Sequence, residues 1–295
     1  MIGHALTVLF ALCAAVCAAV GIVVRQRATV DVPAEQGVSV AMYRSLLGRR
    51  LWWAGTGAAV AGYVFQALAL EHGSLMVVQP LLVSALLFAL PISARQAQRR
   101  VTWREWLWAG LLTLALCVFV LLARPGRVES TASLRVIGEV AAVAAIVVIG
   151  CVALALQVGG TARAVLLAVA VGVLFGVLAV LTKVFMHQLG ELGWARVLTT
   201  PTPYFLLGVG VVATLLQQSA FHAGALQTTV PTMLVLEPVV AVVLGALVLG
   251  EVLETSRHET VALLVAIVVM AVASIALGRD EGAFEEELER RVSCG

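Results

Sequence analysis

Charge is what this chain has least of. Acidic and basic residues make up 12% of its 295 positions, about half the roughly 25% usual in soluble domains. Lysine is nearly missing: Lys183 stands alone beside eighteen arginines, a bias that fits a GC-rich bacterial genome. So little charge argues against water as the solvent for the whole surface. The net charge of +2 lies between apolar runs and assembles no basic face, which argues against nucleic acid as a partner. Disulfide spacing is lacking too. Of Cys13, Cys17, Cys117, Cys151 and Cys294, four lie inside apolar runs and read as free thiols packing like small hydrophobes. Cys13 and Cys17 share a helix face, but their neighbours are Ala, Val and Leu and offer no further ligands. Metal binding elsewhere stays open. No Gly-Lys-Ser/Thr phosphate loop occurs, which argues against nucleotide hydrolysis. His4, His72, His187, His222 and His258 are scattered near span ends and no Ser/His/Asp spacing appears, so neither an enzyme nor a cofactor is expected.

What is present is apolar length. Hydrophobic residues fill 61% of the chain, mean hydropathy is +1.04, and the apolar residues come in runs of about twenty, enough to cross a hydrocarbon core of about 30 Å. Nine spans are expected, at 4–24, 51–70, 74–93, 105–123, 134–156, 163–187, 204–223, 230–249 and 259–277. The first is kept as a helix rather than a signal peptide, because its arginines follow the apolar stretch and no basic segment precedes it. Backbone in lipid must satisfy its own hydrogen bonds, and no alternating ten-residue pattern suggests a barrel. The fold class is therefore all-α integral membrane. Arg25, Arg27, Arg44, Arg49 and Arg50 follow the first span, and Arg95, Arg99, Arg100 and Arg104 the third, so both connections are expected in the cytoplasm of a multi-pass cell-membrane protein. That puts the N-terminus outside and the C-terminal tail, 279–295, inside. Arg124, Arg127 and Arg135 fall on the outer side without reversing the balance. Trp52, Trp53, Trp103, Trp106 and Trp108 read as an aromatic belt. The segment 40–47 reads as an interfacial helix and 281–291 as a short amphipathic one or a solvated terminus.

The chain also aligns on itself. Residues 67–80, ALALEHGSLMVVQP, lie without gaps on 225–238, ALQTTVPTMLVLEP. Each is a helix end, a polar turn and a new helix with a polar-Pro step. Helices 1 to 4 (4–124) and 6 to 9 (163–278) thus read as two copies, and the odd linking helix 5 (134–156) turns the second over. Inverted repeats of this kind can expose a midplane site to either side alternately.

These motifs resemble the drug/metabolite transporter superfamily, and within it the nine-helix branch that includes the NIPA-type magnesium transporters. The resemblance spans nearly the whole chain. It rests on Trp52 to Gly55 with Gly62 to Leu70 and Val78 to Leu81, on Gly110 to Pro125, and on Glu237-Pro238 through Leu249-Gly250-Glu251, which is similar to the superfamily's proline helix ending in Leu-Gly-Glu. It implies a secondary transporter with pseudo-twofold halves and a small metabolite or a divalent cation as substrate. Where NIPA-type proteins have an acidic residue and an asparagine in helix 2, this chain has Tyr63 and Gln66. That substitution removes a hard carboxylate oxygen of the kind Mg²⁺ favours.

Glu237 is the strongest single signal, because an ionised carboxylate inside a span costs at least about 2 to 3 kcal/mol. It is expected to face the interior and to bind a cation or carry a proton, or else to make a structural hydrogen bond between helices. Pro238 and its repeat partner Pro80 are expected hinges, with Gln79 the neutral counterpart of Glu237. Gln66 in helix 2 and Gln217 and Gln218 in helix 7 are candidates for ligand contact or for interhelical glue. Lys183 either snorkels to the outer interface or pairs with Glu237 or an anionic substrate. The expected partners are the bilayer and a small solute or cation. A homodimer is compatible with the sequence, and so is a membrane scaffold that kept the fold without transport.

Overall fold

A computed structural model of the chain describes residues 2–30, 48–96, 101–123, 134–222, 226–251 and 255–293. Within them the helices are α1 (Ile2–Val30), α2 (Arg50–His72), α3 (Leu75–Leu82), α4 (Ala85–Gln96), α5 (Trp103–Leu122), α6 (Leu134–Ala155), α7 (Gly160–Val197), α8 (Thr202–His222), α9 (Leu226–Leu249) and α10 (Arg257–Ser293). No strand occurs among the described residues. Among the described residues seven stretches are long and apolar enough to cross a bilayer: Gly3–Gly21, Arg50–His72, Leu75–Ile92, Trp103–Leu122, Ile137–Ala155, Ala162–Val197 and Arg257–Leu277. Two shorter apolar stretches, Thr202–Gln217 and Val235–Leu249, lie in α8 and α9.

The outer surface shows what solvent the fold requires. Val143, Ile146 and Ile149 of α6 are 61 to 68% exposed. Leu207, Val211 and Leu215 of α8 and Val261, Leu264, Val265 and Val268 of α10 are exposed as well. Leaving such side chains in water rather than in an apolar medium costs about 1.5 to 3 kcal/mol each. The arrangement is that of a membrane-embedded helical protein.

Between helices the residues are small. Ala11, Ala14, Ala15 and Ala19 of α1 are all but fully buried, and a Cβ on Gly21 would lie 2.9 Å from the Ala59 backbone nitrogen of α2. Without a hydrophobic drive between helices in lipid, such close backbone approach is what gives them van der Waals contact. α1 packs on α2, α3 and α4, while α7 packs on α6, α8 and α9. α3 also meets α9, and α5 meets α10. Two helices begin with reciprocal caps. Thr102 accepts from the Glu105 amide (3.3 Å) and its own amide donates to Glu105 Oε2 (2.6 Å), and Ser256 and Glu259 do the same at 3.4 and 2.7 Å.

Three expectations need correction. The span at 74–93 is not one helix: it breaks at Val83 and Ser84, three residues beyond Pro80. The span at 163–187 belongs to a helix that runs to Val197 through a kink at Gly193, whose φ of +73° is open to glycine without strain. The tail is a continuation of α10 as far as Ser293 rather than a separate short helix. The interfacial helix expected at 40–47 lies outside the described residues.

Candidate functional site

Glu237 stands at the midpoint of α9 (Leu226–Leu249). Because α9 begins at Leu226, four residues ahead of the expected start at 230, the carboxylate lies deeper than the sequence alone suggests. The Glu237 side chain is half-buried. It makes no hydrogen bond or ion pair among the described residues. Its neighbours along the helix are seated firmly. A Cβ on Gly172 of α7 would lie 2.8 Å from Leu236 Cβ, and one on Gly176 would lie 2.5 Å from Val240 Cγ1 and 3.1 Å from the Ala241 nitrogen. The Gly-x-x-x-Gly of α7 thus clamps α9 on both sides of Glu237-Pro238.

The partner step in the first half differs. Gln79 is 1% exposed, and its Nε2 has no hydrogen-bond partner among the described residues. Pro80 has no amide to give the carbonyl of Met76. The helix then tightens, with the Val83 amide donating to the Pro80 carbonyl (3.2 Å) and that of Ser84 to Leu81 (3.0 Å), both three residues back. At the break the Ser84 hydroxyl is buried and likewise lacks a partner among the described residues. A Cβ on Gly245 would lie 3.3 Å from Leu75 Cβ, so the start of α3 rests on the end of α9. Counted along both helices from that contact, Ser84 and Glu237 each lie about 12 to 14 Å inward, at one level.

At the end of the bundle shared by the turn Gly73–Ser74, Lys183 and Glu251, the structure holds an ion pair between the last two. α9 stops at Leu249, Gly250 turns the chain with φ +64°, and the Glu251 amide donates to the Gly245 carbonyl (3.1 Å). The side chain of Glu251 is thereby folded back to accept from the amides of Leu75 (3.1 Å) and Met76 (3.3 Å), the first two of α3. Lys183 donates to Glu251 and also to the Gly73 carbonyl at 2.9 Å. Glu251 is 3% exposed. The carboxylate satisfies orphan amides at a helix N-terminus and meets the positive end of its dipole.

Lys183 is therefore neither a free snorkelling lysine nor the partner of Glu237. Its anion is Glu251, noticed in the sequence only as the end of Leu-Gly-Glu. Helix counting carried the missing signal: the sixth and eighth spans end on one side, which puts the lone lysine and that glutamate together. Tyr63 is 48% exposed, beside Val60 and Val64 on the outer face of α2, and lines no interior site. Gln66 and Gln217 are half-buried on α2 and α8. Gln218 is in α8, and its side chain lies outside the described residues. Pro238 lies within an uninterrupted α9, so only Pro80 of the two expected hinges adjoins a break.

The class these features define is a multi-pass helical membrane protein with isolated polar groups in its interior. The chain belongs to one family with an uncharacterized protein of Corynebacterium glutamicum, to which it is 37% identical over 283 residues, 95% of this chain and 96% of the relative. No protein-family model and no solved structure matches it.

Proposed function

We propose that the chain is a secondary transporter of the drug/metabolite transporter type, with nine spans in two inverted four-helix repeats. It moves a small polar solute or a cation across the cell membrane by alternating access, with Glu237 at the binding or proton-coupling site. The observation that carries this reading is Glu237 itself: a carboxylate at the centre of the bundle, partly accessible and without a protein partner among the described residues. A purely structural carboxylate at that depth would be expected to be hydrogen-bonded.

The packing supports the two-half arrangement. α1 meets α2 and the α3–α4 pair as α7 meets α8 and α9, and the contacts between halves include two that join equivalent elements, α3 with α9 and α5 with α10, beside α2 with α7. The reciprocal caps Thr102–Glu105 and Ser256–Glu259 open the helices that close each half. In this reading Arg49, Arg50, Arg95 and Arg104 mark the cytoplasmic end and the Lys183–Glu251 pair the outer end.

The test is a thermal-shift screen of the purified full chain against small metabolites and metal salts, followed by flux in proteoliposomes with whichever solute stabilises it. Glu237→Gln should remain folded and lose both the stabilisation and the flux. Normal transport by Glu237→Gln at every pH would overturn the assignment. Stabilisation by divalent cations alone would favour a NIPA-like carrier, and a lack of flux for every stabilising solute would favour a scaffold.

A further inference from the structure

The geometry points to the seat of the Lys183–Glu251 pair on the α2–α3 turn as the outer gate of the transporter, a latch that closes the interior from one side and must lift off that turn when that side opens. This deepens the transport reading and rests on it. Three separate parts of the chain meet in the latch: Lys183 from α7, Glu251 from the end of α9, and the α2–α3 turn with the first amides of α3. The first two belong to the second half and the third to the first half. Rocking one half against the other would draw the pair off the Gly73 carbonyl and the Leu75 and Met76 amides while Lys183 and Glu251 stay together.

The latch is built to close tightly and to let go. Closing it removes a carboxylate and an ammonium from water, and their desolvation offsets much of the Coulomb attraction, so such a pair is a weak source of net stability. When the halves separate, both charges regain water and α3 loses only its capping acceptor. The surroundings are shaped for the fit. A Cβ at Gly245 would lie 3.1 Å from Glu251 Oε2, and a Cβ at Gly73 would lie 2.2 Å from the Thr7 side chain of α1. Any other residue would crowd the carboxylate at the first position and push the turn off α1 at the second. Along α3 inward of the latch lie the buried Gln79 and then Leu81, 3% exposed. The break at Val83–Ser84 follows, where α3 can bend away from α9 while α4 stays packed on α1.

The experiment reads accessibility rather than flux, so it separates failure of the gate from failure of the transport reading. In the full chain with its five cysteines replaced by alanine, Leu81→Cys places a thiol about 9 Å inward of the latch. A membrane-impermeant thiol reagent is applied to each face of proteoliposomes of known orientation. Lys183→Met and Glu251→Gln should each raise the rate of labelling from the outer face about tenfold, while Lys183→Arg, which keeps the charge, should stay near the parent rate. The rate from the inner face should not rise. If Lys183→Met is labelled faster from both faces, the chain has loosened, and Glu251→Gln, which keeps an acceptor for one of the two amides, decides. Unchanged outer labelling in Glu251→Gln, or an equal rise from both faces, would overturn the gate. Altered labelling with no flux of any solute would leave the latch standing and overturn transport.

Discussion

The two polar-Pro steps, Gln79-Pro80 and Glu237-Pro238, start from nearly the same sequence pattern and end as different structures. Five residues precede Pro80 in α3, whereas twelve precede Pro238 in α9. A proline removes one hydrogen bond from either helix, but α9 has three turns of ladder ahead of the gap and the Gly172–Gly176 groove gripping Leu236 and Val240 around it. α3 has little more than one turn, and its helix breaks. A proline thus marks a hinge only where packing leaves the segment room to bend. α3 supplies a joint, and α9 an unbroken strut that carries the charge.

The comparison breaks most severely if the clamp is filled. Gly176→Leu should destabilise the protein by about 3 kcal/mol through overpacking against Val240 and Ala241, read as a fall in melting temperature in detergent. Gly110→Ala, where nothing lies within 4 Å of the added Cβ, should leave melting unchanged or slightly raised. Equal effects would mean that α9 is not held by this groove. A smaller change of opposite sign is expected at Gln79. Replacing the buried amide with a methionine of similar shape removes an unpartnered donor, a relief of about 1 to 2 kcal/mol. Gln79→Met should therefore melt higher and lose any solute-induced stabilisation, and a lower melting temperature would show that the amide is structural glue. Next in size is hydrogen exchange at Val83 and Ser84. Pro80→Ala restores a donor for the Met76 carbonyl and should slow exchange at these amides about tenfold, or about 1.4 kcal/mol of local stability. Pro238→Ala should leave exchange along α9 unchanged. Slowing at both sites or neither would erase the distinction between joint and strut.

Much of this was legible before any coordinates. Apolar runs of bilayer length give the helices, because lipid leaves the backbone no other way to satisfy its polar groups. That Glu237 lies inside its run follows from counting residues, although the early start of α9 at Leu226 sets it deeper than that count. The break after Pro80 was not legible, because it depends on how little helix precedes the proline and on the clamp that its counterpart enjoys. The exposure of Tyr63 was not legible for a related reason. A tyrosine one residue from a buried Gly62 can face either side of α2, and only the packing of Gly62 on α1 shows that Tyr63 turns outward. The Lys183–Glu251 pair spans 68 residues. No local pattern joins them, although the parity of span ends does.

The smallest expected effect concerns the caps that open α5 and α10, the closing helices of the two halves. Both use Ser or Thr with Glu three residues on, and Thr102 and Ser256 are both exposed, but Glu105 is 2% exposed whereas the Ser256–Glu259 bonds lie at the surface. Water can take the place of either hydroxyl, but only that of Thr102 also donates to a buried carboxylate, Glu105 Oε2 at 3.0 Å. Thr102→Ala should therefore cost about 1 to 2 kcal/mol and Ser256→Ala about 0.5 kcal/mol, measured as detergent melting temperatures of the two single variants side by side. If Ser256→Ala proved the more costly, α10 would depend on its own N-terminus for position. The view that the second half is held mainly by helix packing around α7 and α9 would then fail.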